Sequence, residues 1–268
     1  MNIEFVIREW AAWAPTLAQR EPWLAWADEA AAACPPATDE APALAAMPAM
    51  ARRRLNPLGR MAAQVAYDTA RPVAADGAAG TPVIYASRYG DAGRSLALLA
   101  DLARGEPVSP TAFGLSVHNA IGAMVSIARG DRSHHSALAG GASSAGAALV
   151  EAAALLADGE DEVLVVHYDV PLPGDYAAFA DEPPAAYAWA WRVAAPQPGE
   201  GRLRLSLQPA HDGAPDSGAE EAAGALPGLP FGLGLLHFGL SPRAAAWQRL
   251  ADGHRWCFTR HAPGAGHG

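Results

Sequence analysis

A glycine- and serine-rich turn at residues 140–144, Gly-Gly-Ala-Ser-Ser, occupies a position typical of a catalytic nucleophile. It joins a short apolar segment to an alanine-rich helix that the sequence predicts over residues 142–157. Amide groups and the dipole at a helix start stabilise negative charge, which suits a thiolate or an oxyanion. The central residue is Ala142, whose methyl group has no such chemistry. The nucleophile candidates left in the turn are the hydroxyls of Ser143 and Ser144.

These serines allow one catalytic alternative, a serine acyl hydrolase or acyl transferase. Residues 141–145 differ from the G-x-S-x-G elbow of α/β-hydrolases at the last position, where Ala145 would crowd the tight turn. A triad also needs an acid and then a histidine downstream. The chain offers several of each, but no spacing singles them out: Asp169, Asp175, His211 and His237.

The remaining histidines and cysteines predict no metal site and no cofactor. His134 and His135 are adjacent, and adjacent side chains on a strand point to opposite faces. Cys34 and Cys257 lack metal-ligand spacing and form no disulfide framework, so we interpret both as packing residues. His118 and Asn119 are predicted to lie within a helix as a packing pair, because no nucleophile or orienting acid is placed beside them.

Composition excludes several functional classes. The chain has 268 residues, 51% hydrophobic, with a net charge of −9 and a pI near 5.4, so we expect no nucleic-acid partner. No run of about eighteen uncharged apolar residues predicts a membrane span. Glu4, Arg8 and Glu9 make the first residues unlike a secretory signal peptide. We therefore expect a cytoplasmic protein.

Hydrophobic periodicity then predicts the elements that position the turn. Trp10 and Trp13, and likewise Trp23 and Trp26, are three residues apart, which on helices would place each pair on one face. Asp91 is predicted to cap a helix over residues 92–103. We expect strands over residues 3–7, 83–87, 136–139, 163–170, 187–193, 203–207 and 256–259, with 187–193 and 203–207 forming an antiparallel pair. Further helices are expected over residues 50–70, with a split after Leu55, from residue 109 onward, and over residues 244–250. Residues 211–224 are expected to form a surface loop or a weak helix. Glycine and proline are expected to break any regular structure over residues 226–240.

Four stretches in this order resemble the N-terminal half of β-ketoacyl synthases: RRRLNPLGRMAAQVA, VIYASRYGD, SPTAFGLSVHNAIGAMVSIARGD and ALAGGASSAGAALVEAAALLADGEDEVLVVHYD. They are most similar to the short ketosynthase-like chain length factors of aryl polyene and related pigment clusters. The resemblance covers residues 48–172. It implies a truncated thiolase-like α/β fold with α/β/α layers and a mixed sheet. We expect a single domain with residues 48–172 as its core, additions at 1–47 and 173–260, and a disordered tail at 261–268.

The resemblance also implies the loss of catalysis. An active ketosynthase has a cysteine where this chain has Ala142, followed by small hydroxyl residues that match Ser143 and Ser144. The thiolate of that cysteine takes the acyl group from a carrier protein, and two histidines from the second half of the protein stabilise the enolate. The chain is too short for a complete second half. We therefore expect no catalysis by this chain on its own.

What remains is a role beside an active β-ketoacyl synthase. By resemblance, the segment Ser136, Ala137, Leu138 and Ala139 pairs with the partner across a two-fold axis. The preceding helix borders the partner's acyl channel and would limit chain length through Phe113, Leu115, Val117, His118 and Asn119. The cluster Arg52, Arg53 and Arg54 is either a solvated helix face or a contact for an acidic acyl carrier protein. A scaffold that binds a partner without touching an acyl chain is the third possibility.

Overall fold

An eight-stranded mixed sheet organises the computed structural model, which describes residues 2–29, 32–73, 80–210 and 228–264. The strand order is β3-β2-β4-β5-β1-β6-β8-β7; β2 pairs in parallel with β3 and β4, and every other pair is antiparallel. The strands are β1 (Asn2–Trp13), β2 (Val83–Ala86), β3 (His135–Leu138), β4 (Val163–Asp169), β5 (Tyr187–Ala194), β6 (Arg202–Pro209), β7 (Ala246–Ala251) and β8 (His254–His261).

Helices cover both faces of this sheet. They are α1 (Arg20–Asp28), α2 (Ala49–Arg52), α3 (Pro57–Thr69), α4 (Ala92–Ala103), α5 (Pro110–Gly114), α6 (Ala120–Arg129), α7 (Ser144–Ala157) and α8 (Phe231–Leu240), with a 3-10 helix at Gly174–Phe179. β4 shows the layering most clearly: Leu164 and Val166 pack in the cluster around α3 and α6, whereas Val163 and Val165 pack in the cluster around α7 and α8. Burial on both faces explains its nearly continuous apolar sequence.

Local signals place several helix starts as predicted. The Asp91 side chain accepts a hydrogen bond from the Arg94 amide at 3.0 Å and begins α4, and the Asn56 side chain does the same for α3. The break after Leu55 is confirmed because α2 ends at Arg52 and α3 begins at Pro57. Trp23 and Trp26 lie on α1, both buried, with ring centroids 5.1 Å apart.

Three expectations are wrong because long-range strand pairing overrides local pattern. Trp10 and Trp13 lie on strand β1, not on a helix, and spacing by three on a strand places them on opposite faces. Strands β5 and β6 both form, but β1 lies between them, so they do not pair with each other. Residues 244–250 do not form a helix: most of them belong to β7, which pairs with β8.

Two helical expectations also need correction. The helix expected from residue 109 breaks at residues 115–119 into α5 and α6, so His118 and Asn119 lie at a junction and not within a helix. The glycine- and proline-rich stretch at 226–240 contains a regular helix, α8, whose glycines let aromatic rings pack closely: a Cβ on Gly239 would lie 2.4 Å from the Trp191 ring.

Parts of two expectations fall outside the described residues. The segment 211–224 lies entirely outside them, and of the tail only residues up to 264 are described. No helix within the described ranges is long and apolar enough to cross a membrane. The division into a core at residues 48–172 with additions on either side stays a prediction.

Candidate functional site

The turn at residues 140–144 lies between the end of β3 at Leu138 and the start of α7 at Ser144. Gly141 has a φ of +68°, a conformation that glycine adopts without the strain other residues incur. Ala142 is half-buried beside the helix start. The structure therefore builds the strand–turn–helix geometry of a nucleophile site and places a methyl group at its centre.

A carboxylate from a distant part of the chain accepts hydrogen bonds from the amides of this turn. Asp252 Oδ2 accepts hydrogen bonds from the Ser143 amide at 2.7 Å and from Ser143 Oγ at 2.6 Å. Its Oδ1 lies 3.4 Å from the Ala142 nitrogen. A carboxylate is favoured at this place because the first amides of α7 have no intrahelical partner and carry partial positive charge.

This carboxylate lies in the turn of the hairpin between β7 and β8. Asp252 and Gly253 form its two-residue turn with φ values of +49° and +73°, and Asp-Gly is the dipeptide that such turns favour. A Cβ on Gly141 would lie 2.2 Å from Asp252 Oδ1, so the contact also depends on glycine at position 141. We name this contact between Asp252 and residues 142–143 the Asp252 clasp.

Sequence analysis missed Asp252, although a usable signal was present. Asp252-Gly253 is a dipeptide that favours a two-residue hairpin turn, and the strand expected over residues 256–259 follows it closely. The alanine-rich stretch before it favoured a helix instead. The signal for the turn was thus local, whereas its contact with a helix start 109 residues earlier was not.

The two serines are hydrogen-bonded structural groups. Ser143 is 3% exposed, and its hydroxyl is held by Asp252. The Ser144 hydroxyl accepts from the Gly140 amide at 2.9 Å and donates to the Gly141 carbonyl at 2.7 Å. Among the described residues neither hydroxyl hydrogen-bonds to a histidine, so the geometry gives no support to a serine hydrolase or transferase.

The residues expected to border an acyl channel lie at the α5–α6 junction. The structure leaves Phe113, Val117 and Asn119 exposed, and Leu115 and His118 half-buried. His118 Nε2 lies 2.9 Å from the Leu138 carbonyl oxygen, which joins this junction to β3. The segment expected to pair with a partner is β3 with Ala139 after it: Ser136, Ala137 and Leu138 are half-buried, and Ala139 is exposed.

The three clustered arginines differ in their surroundings. Arg52 is half-buried and donates to the Leu44 carbonyl at 3.0 Å, whereas Arg53 and Arg54 are exposed. The turn that carries them adjoins the start of α4, because Asn56 Nδ2 donates to Asp91 Oδ2 at 2.8 Å.

The other candidate groups remain in packing roles. His134 is exposed and precedes β3, and His135 is half-buried in that strand. In the described ranges no three histidine, cysteine or acidic side chains are grouped so that they could hold a metal ion. Burial raises the pKa of the Cys34 thiol to about 11 and that of Cys257 in the same direction, so neither is a ready thiolate.

A buried polar network, which sequence analysis did not identify, links the ends of the parallel strands. Asp169 Oδ1 accepts from Ser87 Oγ at 2.8 Å and from the Arg88 amide at 2.9 Å. His167 Nε2 lies 3.3 Å from Asp169 Oδ2 and 3.2 Å from the Tyr187 hydroxyl. Burial raises the pKa of Tyr187 well above its ordinary value, so its hydroxyl stays protonated. The network ties β2, β4 and β5 together.

Comparison with known proteins gives a consistent assignment. Residues 23–258 match the family model of the β-ketoacyl synthase N-terminal domain. The fold is similar to a chain of the complex of the ketosynthase ApeO with its chain length factor ApeC from Xenorhabdus doucetiae, with 26% identity, a TM-score of 0.78, and coverage of 96% of this chain and 100% of that one. A search of curated proteins found no match.

Two further solved structures share the fold at lower identity. A chain of the ishigamide ketosynthase/chain length factor is 16% identical over 97% of this chain and 99% of its own, with a TM-score of 0.64. A β-ketoacyl synthase from Burkholderia phymatum is 12% identical over 82% of this chain and 66% of its own, with a TM-score of 0.53. The family match spans most of the sequence, and the mixed sheet with helices on both faces agrees with these structures. The chain therefore belongs to the β-ketoacyl synthase N-terminal domain family and has its thiolase-like α/β fold.

Proposed function

We propose that this chain is a non-catalytic chain length factor, which pairs with an active β-ketoacyl synthase and limits the length of the acyl chain that the pair builds. The observation that carries the proposal is an apolar face without a partner. No residue from 91 to 119 is buried, although α4 within it has the sequence AGRSLALLADLA. An apolar helix of this kind is stable when its face is covered.

Exposed hydrophobic side chains concentrate on this side of the molecule. Within the described ranges nine large hydrophobic side chains are exposed, and five of them lie between residues 99 and 127: Leu99, Leu102, Phe113, Val117 and Ile127. Contacts between α4 and α5 bring part of this set together, and exposed apolar patches mark interaction sites. We name residues 91–119, β3 and Ile127 the partner face.

Strand β3 supplies a second reason to expect a partner here. It is the end strand of the sheet and pairs only with β2 among the described strands. All four of its residues are half-buried. An edge strand with free backbone groups next to exposed hydrophobics is suited to continuing its sheet in another chain. A structure that is 26% identical to this chain belongs to a complex of a ketosynthase with its chain length factor, which favours a ketosynthase as that chain.

The closed turn supports the non-catalytic part of the proposal. A ketosynthase reaction needs a nucleophile at the start of the helix and amides that are free to receive negative charge. This chain has Ala142 at that place, and Asp252 already accepts from the Ser143 amide. The reaction would therefore take place in the partner subunit.

Length control follows from the side chains at the centre of the partner face. Phe113 is 61% exposed and Val117 is also exposed, so both present their bulk to whatever covers the face. If the partner's acyl channel opens there, these side chains form its far wall. An extra methylene against such a wall costs about 1–3 kcal/mol, which is enough to stop elongation at a given length.

An acyl carrier protein is the second partner we propose. Arg53 and Arg54 are exposed and lie next to the start of α4, at the rim of the partner face. Arginine suits an acidic helix and a phosphate-bearing arm because its planar guanidinium binds two oxygens at once.

Co-expression with a ketosynthase encoded beside it tests the pairing. We expect a one-to-one complex by size-exclusion chromatography with light scattering, and Leu99→Asp should weaken it at least about tenfold. Leu250→Asp is the matched control, because Leu250 is 50% exposed against 54% for Leu99 and lies on β7 at the opposite end of the sheet. Absence of a complex, or equal effects of the two changes, would contradict the proposed face.

Product analysis of the purified complex tests length control. Phe113→Ala removes bulk from the far wall of the channel and leaves more room for the acyl chain. We therefore expect longer acyl products at an unchanged rate of initiation. Phe179→Ala removes a similarly exposed ring outside the partner face and should leave product length unchanged. A complex that forms normally but makes products of the same length with either variant would indicate a scaffold role instead.

A further inference from the structure

A large cavity lies on the part of the sheet remote from β3. Its volume is about 630 Å³, within the range of small-molecule sites. It is open to solvent and is lined by β1, α1, the start of β6, the end of α8 with the segment that follows, and the end of β8. Four strand spacings of about 4.8 Å separate β3 from β1, so the cavity is about 19 Å from the partner edge.

The walls of the cavity are largely apolar. Its hydrophobic lining comes from Val6, Ile7, Trp10, Leu24, Leu203 and Leu240. The charged side chains are of mostly one sign: three arginines, Arg202, Arg243 and Arg260, face one acid, Glu200. This contrasts with the net charge of −9 of the whole chain. A cavity with this lining favours a ligand that has an apolar body and a negative head.

The three arginines differ in how their charge is balanced. Arg202 pairs with Glu4 at 2.9 Å, and Arg243 pairs with Asp28 at 3.1 Å. Arg260 has no carboxylate partner among the described residues. Its Nη2 donates to the carbonyls of Phe238, Gly239 and Ser241 at 2.8, 3.2 and 3.2 Å, at the end of α8.

These carbonyls and the Phe238 ring, whose centroid lies 5.4 Å from Arg260 Cζ, stabilise the cation but supply no counterion. Burial lowers the pKa of Arg260, and no acid acts in the other direction. Nη1 makes no hydrogen bond to any described residue, so two of its N–H groups are available in a residue that lines the cavity. Arg260 is exposed at the mouth of the cavity, so a ligand can reach Nη1, and a carboxylate is the planar anion that the guanidinium geometry matches.

We propose that this cavity binds a medium-chain carboxylate, with the carboxylate at Arg260 Nη1 and the chain along the β1 and α8 walls. The site is separate from the partner face, so it does not depend on the role proposed for that face. One bound carboxylate would supply a counterion to Arg260 and cover part of the apolar wall at the same time.

Calorimetric titration of the full chain with decanoate and with decanol tests the site. We expect saturable, one-to-one binding of decanoate and at least about tenfold weaker binding of decanol, since a hydrogen bond to a charged group is lost. Arg260→Gln should weaken decanoate binding about tenfold and leave decanol binding unchanged. Ala245→Trp, which fills the cavity from its exposed rim, should weaken both.

Arg54→Gln is the matched control, because Arg54 is exposed and does not line the cavity. Circular dichroism checks the fold of each variant. If Arg260→Gln does not fold, the proposal is tested by the ratio of the decanoate and decanol affinities of the wild type and by the loss of affinity in Ala245→Trp. No saturable decanoate binding, equal affinity for decanol, or affinity unaffected by Ala245→Trp would overturn the proposal.

Discussion

Replacing Asp252 tests whether the Asp252 clasp holds the β7–β8 hairpin onto the start of α7. Asp252→Gly removes the whole carboxylate, and glycine tolerates the φ of +49° better than alanine would. The change leaves the Ser143 amide and hydroxyl without their strongest acceptor, in a residue that is 3% exposed. Asp252→Asn keeps the backbone conformation and one acceptor oxygen but removes the charge.

The expected loss follows from these contacts. Hydrogen bonds to a charged group contribute about 1.5–3 kcal/mol each, and loss of a helix cap costs about 0.5–2 kcal/mol. Asp252 itself is exposed, and the Ser143 hydroxyl can still donate to the Gly140 carbonyl at 3.1 Å, so both values are discounted. We expect Asp252→Gly to lower the free energy of unfolding by about 2 kcal/mol and Asp252→Asn by about 1 kcal/mol.

Urea unfolding followed by far-ultraviolet circular dichroism measures these values. Asp158→Asn is the matched control: Asp158 is also exposed but lies at the other end of α7, where a negative charge is unfavourable. It should leave stability unchanged or raise it slightly. A loss below about 0.5 kcal/mol for Asp252→Gly would refute the reasoning, because the clasp would then contribute no more than an ordinary surface contact.

The same contact predicts the behaviour of a thiol introduced in the turn. In Ala142→Cys, the Asp252 carboxylate opposes ionisation because a like charge raises the pKa of a thiol. Adding Asp252→Asn should therefore speed alkylation by iodoacetamide at pH 7 several-fold. The measurement uses a background in which Cys34 and Cys257 are replaced by serine. Equal rates in the two variants would show that Asp252 does not control charge at this position.

Three further results are expected. Ser143→Ala and Ser144→Ala should reduce stability by about 1 kcal/mol each while leaving the activity of the ketosynthase complex unchanged, because both hydroxyls serve structural bonds; loss of activity in a folded complex would restore the serine alternative. Charge reversal of Arg53 and Arg54 to glutamate should raise the KM for acyl carrier protein about tenfold without changing complex mass, and an unchanged KM would remove the docking assignment. A hydrogen bond from arginine holds the pKa of Glu162 below its ordinary value. The contribution of Glu162 to stability is therefore complete above about pH 4.3 and is lost as the pH falls through the lowered pKa. The difference in Tm between wild type and Glu162→Gln should shrink between pH 6 and pH 3, and a constant difference would contradict this.

Local chemistry in the sequence determined much of the fold. Asp91 begins α4 because its side chain receives an amide of the first turn, and Asn56 with Pro57 begins α3 for the same reason. The nearly continuous apolar run of β4 predicted a strand covered on both faces, which the structure confirms. Each of these signals involves residues a few positions apart, so the sequence displays it directly.

The family and the empty nucleophile position were likewise accessible from sequence. The order of motifs over residues 48–172 led to the ketosynthase resemblance, which the family match confirms. Ala142 in the turn led to the prediction that the residue required for acyl transfer is absent, and this stays a prediction. Both conclusions rest on residue identity, which needs no knowledge of contacts.

Tertiary structure alone decided which distant segments meet. Whether β6 pairs with β5 or with β1 depends on the energy of whole-strand pairing and shared burial, and no local pattern records it. The Asp252 clasp joins residues 109 positions apart. The exposure of α4 and α5 depends on how the other helices pack on the sheet. The sequence determined which residues could do chemistry, and the packing of the chain determined that Asp252 binds the amides of the turn and that the apolar side chains of α4 and α5 are exposed.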